Sequence, residues 1–302
     1  QVRHAASADG VADAVRAAAR AGLGGRVAGS GHSFAPPVAT DGMLLRVDGL
    51  SGVIGVDRER NRVRVLAGTP LHVLNPALQR LGLALPNLGD IDRQTISGAI
   101  ATGTHGTGTR RQGIAAAVTG LTLVLADGST LECSRDVEPD VFAAAAVGLG
   151  ALGVVTEVEL ACVPAYRLHA KESSEALSDL LPRLQAEADT HDHLDLHWFP
   201  HTDRVLVKRN DVVGPQQGPP PLAPWRARLD DDLLANRVFE VINRGAAALP
   251  ASVPVINRAT ARALGARPAA VALHRYPDAS AGALRARLAT DLGVAPDQLV
   301  FG

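Results

Sequence analysis

Apolar residues recur with both helical and strand spacing along the first half of the chain. Apolar residues at helical spacing from Val11 to Ala19, after the cap residue Ser7, predict a first helix. Two further helices are predicted at residues 70–81 and 139–147. β-rich runs bounded by turn residues predict strands at residues 26–28, 43–47, 53–56, 63–67, 118–126, 130–133 and 154–160, with a hairpin at Asp127-Gly128. Because antiparallel hairpins replace strict βαβ alternation, the pattern predicts an α+β fold.

The second half of the chain has a different pattern. A helix is predicted over residues 173–188, with a kink at Pro182, followed by strands at residues 194–199 and 204–208. Residues 214–224 are rich in proline and predict a loop or linker. Residues 233–262, and the Ala/Arg-rich stretch from Ala266 onward, predict mostly helix.

Length and composition limit the classes of function. A chain of 302 residues predicts about two domains at roughly 150 residues each. Hydrophobic residues make up 46% of the chain and charged residues 20%, so the chain can bury a core and is not disordered. The 30 basic and 31 acidic residues give a net charge of -1, which provides no global attraction for nucleic acid or an anionic membrane.

The sequence also predicts a compartment. No apolar run reaches the roughly 18 residues of a membrane span, and the residues from Gln1 onward lack a basic-then-apolar signal pattern. Cys133 and Cys162 are too few for a disulfide scaffold or a thiolate metal cluster, and both are expected to be buried small hydrophobes. We therefore expect a reduced, cytoplasmic setting, with peripheral membrane association left open.

The sequence GLGALG at residues 148–153 matches the dinucleotide fingerprint G-x-G-x-x-G. That motif requires a strand before it and a helix after it, so that the helix N-terminus faces the pyrophosphate. Here a predicted helix precedes the motif and a predicted strand follows it. The order argues against a Rossmann dehydrogenase and favours a turn of small residues packed closely against something flat.

Two other glycine-rich segments predict ligand binding. GSGHS at residues 29–33 ends a predicted strand, and its glycines permit the positive φ that lets N–H groups converge on an anion, although such a turn alone is more often structural. Residues 95–108, within the longer segment 85–108, are mostly small or hydroxylated, so this backbone can approach a ligand and offer donors along its length. Two donor-rich, non-helical segments in one domain predict a long, phosphate-bearing cofactor that is not held in the Rossmann manner.

These motifs together resemble the vanillyl-alcohol-oxidase-type (PCMH-type) FAD-linked oxidases, and among them the sugar-1,4-lactone oxidases and the related alditol oxidases. The resemblance covers residues 1–265. It rests on RVAGSGHS at 26–33, TDG at 40–42, LPNLG at 85–89, GAIATGTHGTG at 98–108 and LGALGVV at 149–155, and it extends over WFPHTDR at 198–204, KRN at 208–210 and residues 233–264.

The resemblance implies a two-subdomain FAD-binding domain at residues 1–165 and a truncated mixed α/β substrate domain at residues 166–265. FAD would lie between the subdomains, with its pyrophosphate on the GSGHS turn, its 8α carbon bonded covalently to His32 and its adenine near Val155. The cofactor-binding residues that the resemblance implies are Arg26, Gly29, Ser30, Gly31, His32, Ser33, Asp90, Thr95, Gly98, Ala99, Ile100, Ala101 and Val155.

The activity implied by the resemblance is oxidation of an aldono-1,4-lactone or a polyol alcohol, with hydride passed to flavin N5 and O2 reduced to H2O2. A small-molecule lactone or polyol and O2 are then the partners, and no nucleic acid is expected. Gly89 occupies a position where relatives differ in small side chains beside the flavin. We hypothesise that the missing side chain leaves O2 a path, which favours an oxidase over a dehydrogenase.

Histidines alternate with other residues along one predicted strand. His191, His193, Asp195 and His197 would share one face, with His201 just beyond, and such a set could bind zinc. Because the resemblance places this strand in the substrate domain, a solvated or substrate-facing role is favoured, and no metal site is predicted.

The sequence changes character after Leu264. LHRYPDASAGALRARL at residues 273–288 and LGVAPDQLVFG at residues 292–302 resemble the stretch before the phosphate-binding turn of histidinol-phosphate-type aminotransferases. The only lysines, Lys171 and Lys208, are not in a Schiff-base motif, so this tail does not predict pyridoxal chemistry. We interpret residues 266–302 as a helical aminotransferase-like fragment, the alternative being an ordinary helical cap element. Two other interpretations of the chain stay open: a catalytically incomplete flavin-binding remnant, and a flavoprotein fused to a transaminase fragment.

Overall fold

The structure, a computed structural model, describes residues 1–33, 38–214, 249–265 and 271–272. The chain forms two units. The first contains Gln1–Gly106 and Gln112–Ala165, and the second contains Thr107–Arg111 and the described part of Tyr166–Asp278.

The first unit begins with a small parallel sheet. Strand β3 (Met43–Arg46) lies between β1 (Val2–His4) and β2 (Gly25–Ala28) and runs parallel to both. Helix α1 (Ala8–Arg20) connects β1 to β2, and its cap residue Ser7 accepts a hydrogen bond from the Gly10 nitrogen at 3.1 Å. The apolar face of α1 packs against β3, which buries one of the two apolar cores of this unit.

The larger core of the first unit lies under an antiparallel sheet with the strand order β4-β5-β9-β7-β8. Apolar residues of alternate positions on these strands pack with three helices, and the opposite face carries ion pairs such as Arg62–Glu159 at 3.0 Å. A two-stranded pair, β6 with β10, lies beside the sheet. The elements are β4 (Val53–Asp57), β5 (Arg62–Leu66), α2 (Leu71–Arg80), β6 (Leu83–Ala84), α3 (Ile96–Ala101), β7 (Val118–Val124), β8 (Thr130–Ser134), α4 (Pro139–Ala145), β9 (Val154–Ala161) and β10 (Val163–Pro164), with a 3-10 turn at Ile114–Ala117.

The second unit is built on an antiparallel sheet with the strand order β12-β13-β11-β14. Leu180, Val205 and Val207 form its small buried apolar cluster. The elements are β11 (Arg167–Ala176), α5 (Leu177–Leu180), α6 (Leu184–Thr190), β12 (His193–Trp198), β13 (Arg204–Val213), α7 (Val253–Gly265) and β14 (Val271–Ala272), with 3-10 turns at Leu181–Arg183 and Pro250–Ser252.

Arg209 attaches α6 to this sheet. Its side chain is almost fully buried, with Nε 2.7 Å from Glu187 on α6 and Nη1 2.8 Å from both Ser173 and Glu175 on β11. The hydrogen bond from Arg209 holds the pKa of the Glu187 carboxyl below its ordinary value. Removing either carboxylate would leave the buried Arg209 charge only partly compensated, which is strongly destabilising.

The predicted α+β class is confirmed, and the first-half helices and strands form where local spacing places them. Gly128 has a φ of +80°, as the predicted hairpin requires. Cys133 and Cys162 are unpaired and buried as expected, and burial raises the pKa of the Cys162 thiol to about 11. Within the described part of the chain, no helix has the length and apolar composition needed to cross a membrane.

Three secondary-structure predictions are wrong or incomplete. The helix predicted at residues 173–188 begins only at Leu177, because residues 173–176 pair with β13 as the end of β11, and Pro182 lies in a 3-10 turn between two short helices. Residues 95–108 were expected to be non-helical, but Ile96–Ala101 form helix α3. Residues 271–272 form a strand where helix was expected.

Other predictions fall on residues beyond the described ranges. These are the proline-rich loop after Gly214, the helix from residue 233 up to residue 248, and residues 273–302, where the aminotransferase resemblance lies. Helix is described only at the end of the predicted 233–262 stretch, as α7.

Candidate cofactor site

A cleft of about 530 Å³ opens within the first unit. This volume falls in the range of roughly 300–1,000 Å³ that is usual for ligand sites. Five parts of the chain line the cleft: its first two residues, β2 and the turn after it, the segment that leads into β3, helix α3, and the turn between α4 and β9. The cleft therefore draws on both sheets of the unit.

The two glycine-rich segments meet in this cleft. A Cβ built on Gly29 would lie 2.0 Å from Thr95 Oγ1, far inside van der Waals contact, so only glycine permits this approach. Gly31, two residues on, has a φ of +73° and turns the chain so that Ser30, Gly31 and His32 all line the cleft. The absence of a side chain at residue 29 thus brings the first segment against the second.

Helix α3 presents two different faces. Thr95 caps it by accepting a hydrogen bond from the Gly98 nitrogen at 3.2 Å. Ile96, Ala99 and Ile100 are buried in the larger core, whereas Ser97, Gly98 and Ala101 line the cleft together with part of Ile100. Small residues on the cleft side let the helix backbone come close to a ligand, and the two isoleucines fix the helix from behind.

The GLGALG segment also lines the cleft. It lies between the end of α4 at Ala145 and the start of β9 at Val154, which confirms the order opposite to that of a Rossmann motif. Leu149, Gly150 and Gly153 are among its cleft residues. The turn that sequence analysis favoured as a packing feature is therefore part of the candidate site.

The charge of the cleft suits an anion. Arg26 is among the residues that line it, and none of the described lining residues is aspartate or glutamate. Backbone N–H groups of glycine-rich turns and hydroxyls such as those of Ser30 and Ser33 add neutral donors. A phosphate-bearing ligand would meet no carboxylate among these residues.

Eleven of the thirteen predicted cofactor-binding residues line this one cleft. They are Arg26, Gly29, Ser30, Gly31, His32, Ser33, Thr95, Gly98, Ile100, Ala101 and Val155. Ala99 instead faces the core, and Asp90 is exposed outside the cleft lining. Gly89 is buried outside the lining, where a built Cβ would lie 3.1 Å from the His105 carbonyl oxygen.

Several lining residues were not predicted as site residues. Gly42 was quoted only as part of a family motif, yet a built Cβ there would lie 2.0 Å from the Gly24 carbonyl oxygen, beside the parallel sheet. The motifs of the resemblance also contain Thr40, Thr102, Leu149, Gly150, Gly153 and Val154, whereas the remaining lining residues look like ordinary helix, strand or turn residues. The unpredicted lining residues include Thr40, Gly42, Leu44, Gln94, Ser97, Thr102, Ala145, Leu149, Gly150, Gly153 and Val154.

The second unit presents a polar row across its sheet. Asp195 on β12 lies opposite Lys208 on β13, which in turn lies opposite Glu172 on β11. Residues directly opposite one another in an antiparallel pair share a face. His193 and Asn210 form the neighbouring row on that face, and both are buried.

The histidine set predicted for β12 is divided between different contacts. His191 precedes the strand, and its Nδ1 lies 2.8 Å from Asp211 Oδ2. His193 donates from Nδ1 to the Thr107 backbone oxygen at 3.0 Å, while His197 is exposed. Across residues 1–33, 38–214 and 249–265, no group of three or more histidine, cysteine or acidic side chains is arranged to hold a metal ion.

The Gly/Thr segment is shared between the two units. Residues up to Gly106 belong to the first unit, but Thr107–Arg111 belongs to the second. Arg110 Nη1 donates to the Asp189 backbone oxygen at 2.6 Å, and Arg111 Nη2 is 2.9 Å from Asp192 Oδ1. The sequence pattern of residues 85–108 is continuous and does not indicate that the chain passes to the second unit after Gly106.

Comparisons with known families divide the chain in two parts. Residues 1–134 match the model of the FAD binding domain family, and residues 158–277 match that of D-arabinono-1,4-lactone oxidase. The chain is 38% identical over 248 residues to L-gulono-1,4-lactone dehydrogenase of Mycobacterium tuberculosis, covering 82% of the chain and 56% of that protein. It is 40% identical over 182 residues to L-gulonolactone oxidase of Scyliorhinus torazame, covering 60% of the chain and 41% of that protein. The chain thus spans about half the length of these relatives.

Solved structures with the same fold are oxidases by their titles. The 6-hydroxy-D-nicotine oxidase of Arthrobacter nicotinovorans matches with a TM-score of 0.61 at 26% identity, covering 71% of this chain and 50% of that one. The cholesterol oxidase of Brevibacterium sterolicum matches with a TM-score of 0.71 at 19% identity, covering 87% of this chain and 54% of that one. At that identity the second match indicates the fold alone.

The contact between Gly29 and Thr95 gives a first prediction. Gly29→Ala places a methyl group 2.0 Å from Thr95 Oγ1, which forces Thr95 away and breaks its cap on α3. We expect the free energy of unfolding of the first unit to fall by about 1–3 kcal/mol, the usual cost of overpacking, and the purified protein to lose most of its bound flavin. Thermal unfolding and visible absorbance per protein measure the two effects.

Gly24→Ala is the matched control, because a Cβ at Gly24 meets nothing within 4 Å. It should retain the flavin content and unfolding midpoint of the wild type. Equal flavin content and stability in Gly29→Ala and Gly24→Ala would contradict the role given to Gly29.

Proposed function

We propose that the chain acts in FAD-dependent oxidation of an aldono-1,4-lactone or a polyol alcohol, because residues 1–134 match the FAD-binding family and residues 158–277 match the D-arabinono-1,4-lactone oxidase family. The observation that carries the proposal is the single cleft lined by both glycine-rich segments, with Arg26 and no carboxylate among its described lining residues. The domains of this proposal are an FAD-binding domain at residues 1–165 and part of a substrate domain at residues 166–265.

The cleft residues fit FAD in shape and in charge. In this proposal Gly29, Ser30 and Gly31 hold the pyrophosphate, because the Gly29–Thr95 contact and the positive φ of Gly31 bring bare backbone to one wall. Ser97, Gly98 and Ala101 of α3 form a second wall with little side-chain volume. Asp90 and Ala99, which lie outside the lining, would act only indirectly.

FAD, when bound, supplies the redox chemistry by taking a hydride from the carbinol carbon of the substrate and passing the electrons to O2, with H2O2 as product. The protein contributes binding and orientation. His32 lines the cleft and would also form the covalent link, since an imidazole nitrogen is a suitable nucleophile for the electron-poor 8α carbon. The new bond would replace the imidazole N–H bond and one 8α C–H bond, and the two electrons released would reduce the flavin, which O2 would then reoxidise.

The substrate side of the proposal rests on the second unit. The sheet row formed by Asp195, Lys208 and Glu172 offers acceptors and a cation on one face. Such a mixture suits a ligand with several hydroxyl groups, because each hydroxyl both donates and accepts. The relatives named above act, by their names, on gulonolactone, and the family model that matches residues 158–277 is named for D-arabinono-1,4-lactone.

The remaining partners are O2, or a carrier that takes its place as electron acceptor. A reducing, cytoplasmic setting is part of the proposal, since Cys133 and Cys162 are both buried and unpaired. Neither thiol needs oxidation to stabilise the fold.

A flavin-reduction assay tests the function. The purified chain, loaded with FAD, is mixed without oxygen with L-gulono-1,4-lactone, D-arabinono-1,4-lactone or xylitol, and the visible flavin absorbance is followed. We expect at least one of these substrates to bleach the flavin, and admission of O2 to restore the colour and release H2O2. A flavin that binds but is bleached by none of them, while dithionite bleaches it, would refute the proposed oxidation and favour the flavin-binding remnant.

His32→Ala tests the covalent link. The wild type should keep yellow colour in the acid-precipitated pellet, whereas the variant should release all of its flavin into the supernatant. His4→Ala is the control, because His4 is an exposed histidine of the same unit outside the cleft lining. Flavin that resists acid in His32→Ala would place the link on another residue.

Gly89→Ala tests oxygen access. A Cβ at this position would lie 3.1 Å from the His105 carbonyl oxygen and 3.2 Å from Thr104 Cγ2, so the added methyl group would crowd both groups. We expect reoxidation of the reduced flavin by O2 to slow severalfold in stopped-flow measurements. Gly113→Ala, whose Cβ would crowd the Thr104 carbonyl oxygen at 3.2 Å, controls for displacement of Thr104. A reoxidation rate equal to that of the wild type would remove Gly89 from the oxygen path.

A further inference from the structure

Leu149 adopts a backbone conformation that leucine normally avoids. Its φ is +51°, in the left-handed region, where the Cβ of an L-residue crowds the following carbonyl oxygen. Three other non-glycine residues in the described ranges share this feature, Asn61, Glu138 and His201, and all three are polar. Leu149 is therefore the one apolar residue among them.

A tight turn imposes this conformation. The Ala151 nitrogen donates to the Gly148 carbonyl oxygen at 2.9 Å, and the two central residues, Leu149 and Gly150, both have positive φ, as in a type I′ turn. Such turns favour asparagine or glycine at both central positions. Leucine at the first of them raises the free energy of the turn.

Packing of the Leu149 side chain within the protein does not offset the free energy of this strained turn. The Leu149 side chain is 63% exposed, so it adds little to either apolar core of the unit. Strained residues persist where function requires them, and an observed outlier is grounds for a functional hypothesis. Leu149 is also one of the residues that line the cleft.

We propose that Leu149 binds the cofactor directly: the turn holds its side chain at the cleft wall, where it packs on a planar ring of FAD. Its neighbours Gly150 and Gly153 present no side chains, and Val155 follows on the same wall. A leucine beside two glycines gives a flat apolar surface that suits an aromatic ring. This inference rests on the proposed FAD site and extends it to a contact that the sequence motif does not assign.

Leu152 provides a matched comparison on the same segment. It is 43% exposed and does not line the cleft. Truncation of Leu149 should therefore weaken cofactor binding, whereas truncation of Leu152 should not.

Reversible FAD titration of apo-protein tests the proposal. All variants are made in a His32→Ala background, so that covalent attachment does not mask the equilibrium. Leu149→Gly and Leu149→Asn both relieve the backbone strain and remove the apolar side chain, and each should raise the FAD dissociation constant by about tenfold, the loss expected for one buried apolar side chain. Both should leave the thermal midpoint of the apo-protein equal to or higher than that of the parent, and Leu152→Ala should leave the FAD affinity unchanged.

Titration with FMN and with ADP identifies the ring. If the Leu149 variants lose affinity only for FMN, the contact is with the isoalloxazine ring. If they lose affinity only for ADP, it is with the adenine ring, and either result supports the proposal. FAD affinity that is unchanged in both Leu149 variants would overturn it, as would weaker binding accompanied by a lower apo-protein midpoint in both, which would indicate a structural role. Because the assay measures binding alone, its result is independent of whether a lactone reduces the flavin.

Discussion

The candidate site depends on one close approach of backbone to side chain. Gly29 lies so near Thr95 Oγ1 that any Cβ would displace it, and Thr95 in turn caps α3. Through this contact the end of a parallel sheet and a helix attached to an antiparallel sheet come to face the same cleft. Side-chain volume added at this junction would separate the two walls, because neither segment has a flexible group that could move aside.

The rest of the first unit keeps these walls in place. Two apolar cores lie behind them, one between α1 and β3 and the other under the five-stranded sheet. Helix α3 has only six residues, too few for stability on its own, and Ile96 and Ile100 anchor it in the larger core. Because the core anchors one face of α3, its opposite face can consist of glycine, serine and alanine, and this cleft wall stays in place although its lining residues are small.

Local sequence pattern predicts much of this architecture but not all of it. The cap at Ser7, the alternation along β9 and the hairpin at Gly128 are local signals, and the corresponding elements form as expected. Residues 173–176 form a strand because β13 supplies their hydrogen-bond partners. These partners are distant in the sequence, so the local pattern around residues 173–176 does not reveal the pairing. Helix α3 was missed because its glycine and serine lower helix propensity, while tertiary burial of two isoleucines overrides it. Eleven cofactor residues followed from motif resemblance, whereas the motif that contains Leu149 gave it no role, and only its backbone angle singles it out.

The assignment of Thr107–Arg111 to the second unit constrains how this gene can be dissected. The first unit is not one continuous piece of chain, since its sequence leaves at Gly106 and returns at Gln112. A fragment cut after Ala165 would keep Arg110 and Arg111 but discard Asp189, Asp192 and His193, which hold that excursion by hydrogen bonds and charge. Transfer of this cofactor half onto another substrate half would therefore have to include the five residues Thr107–Arg111 together with their hydrogen-bond partners.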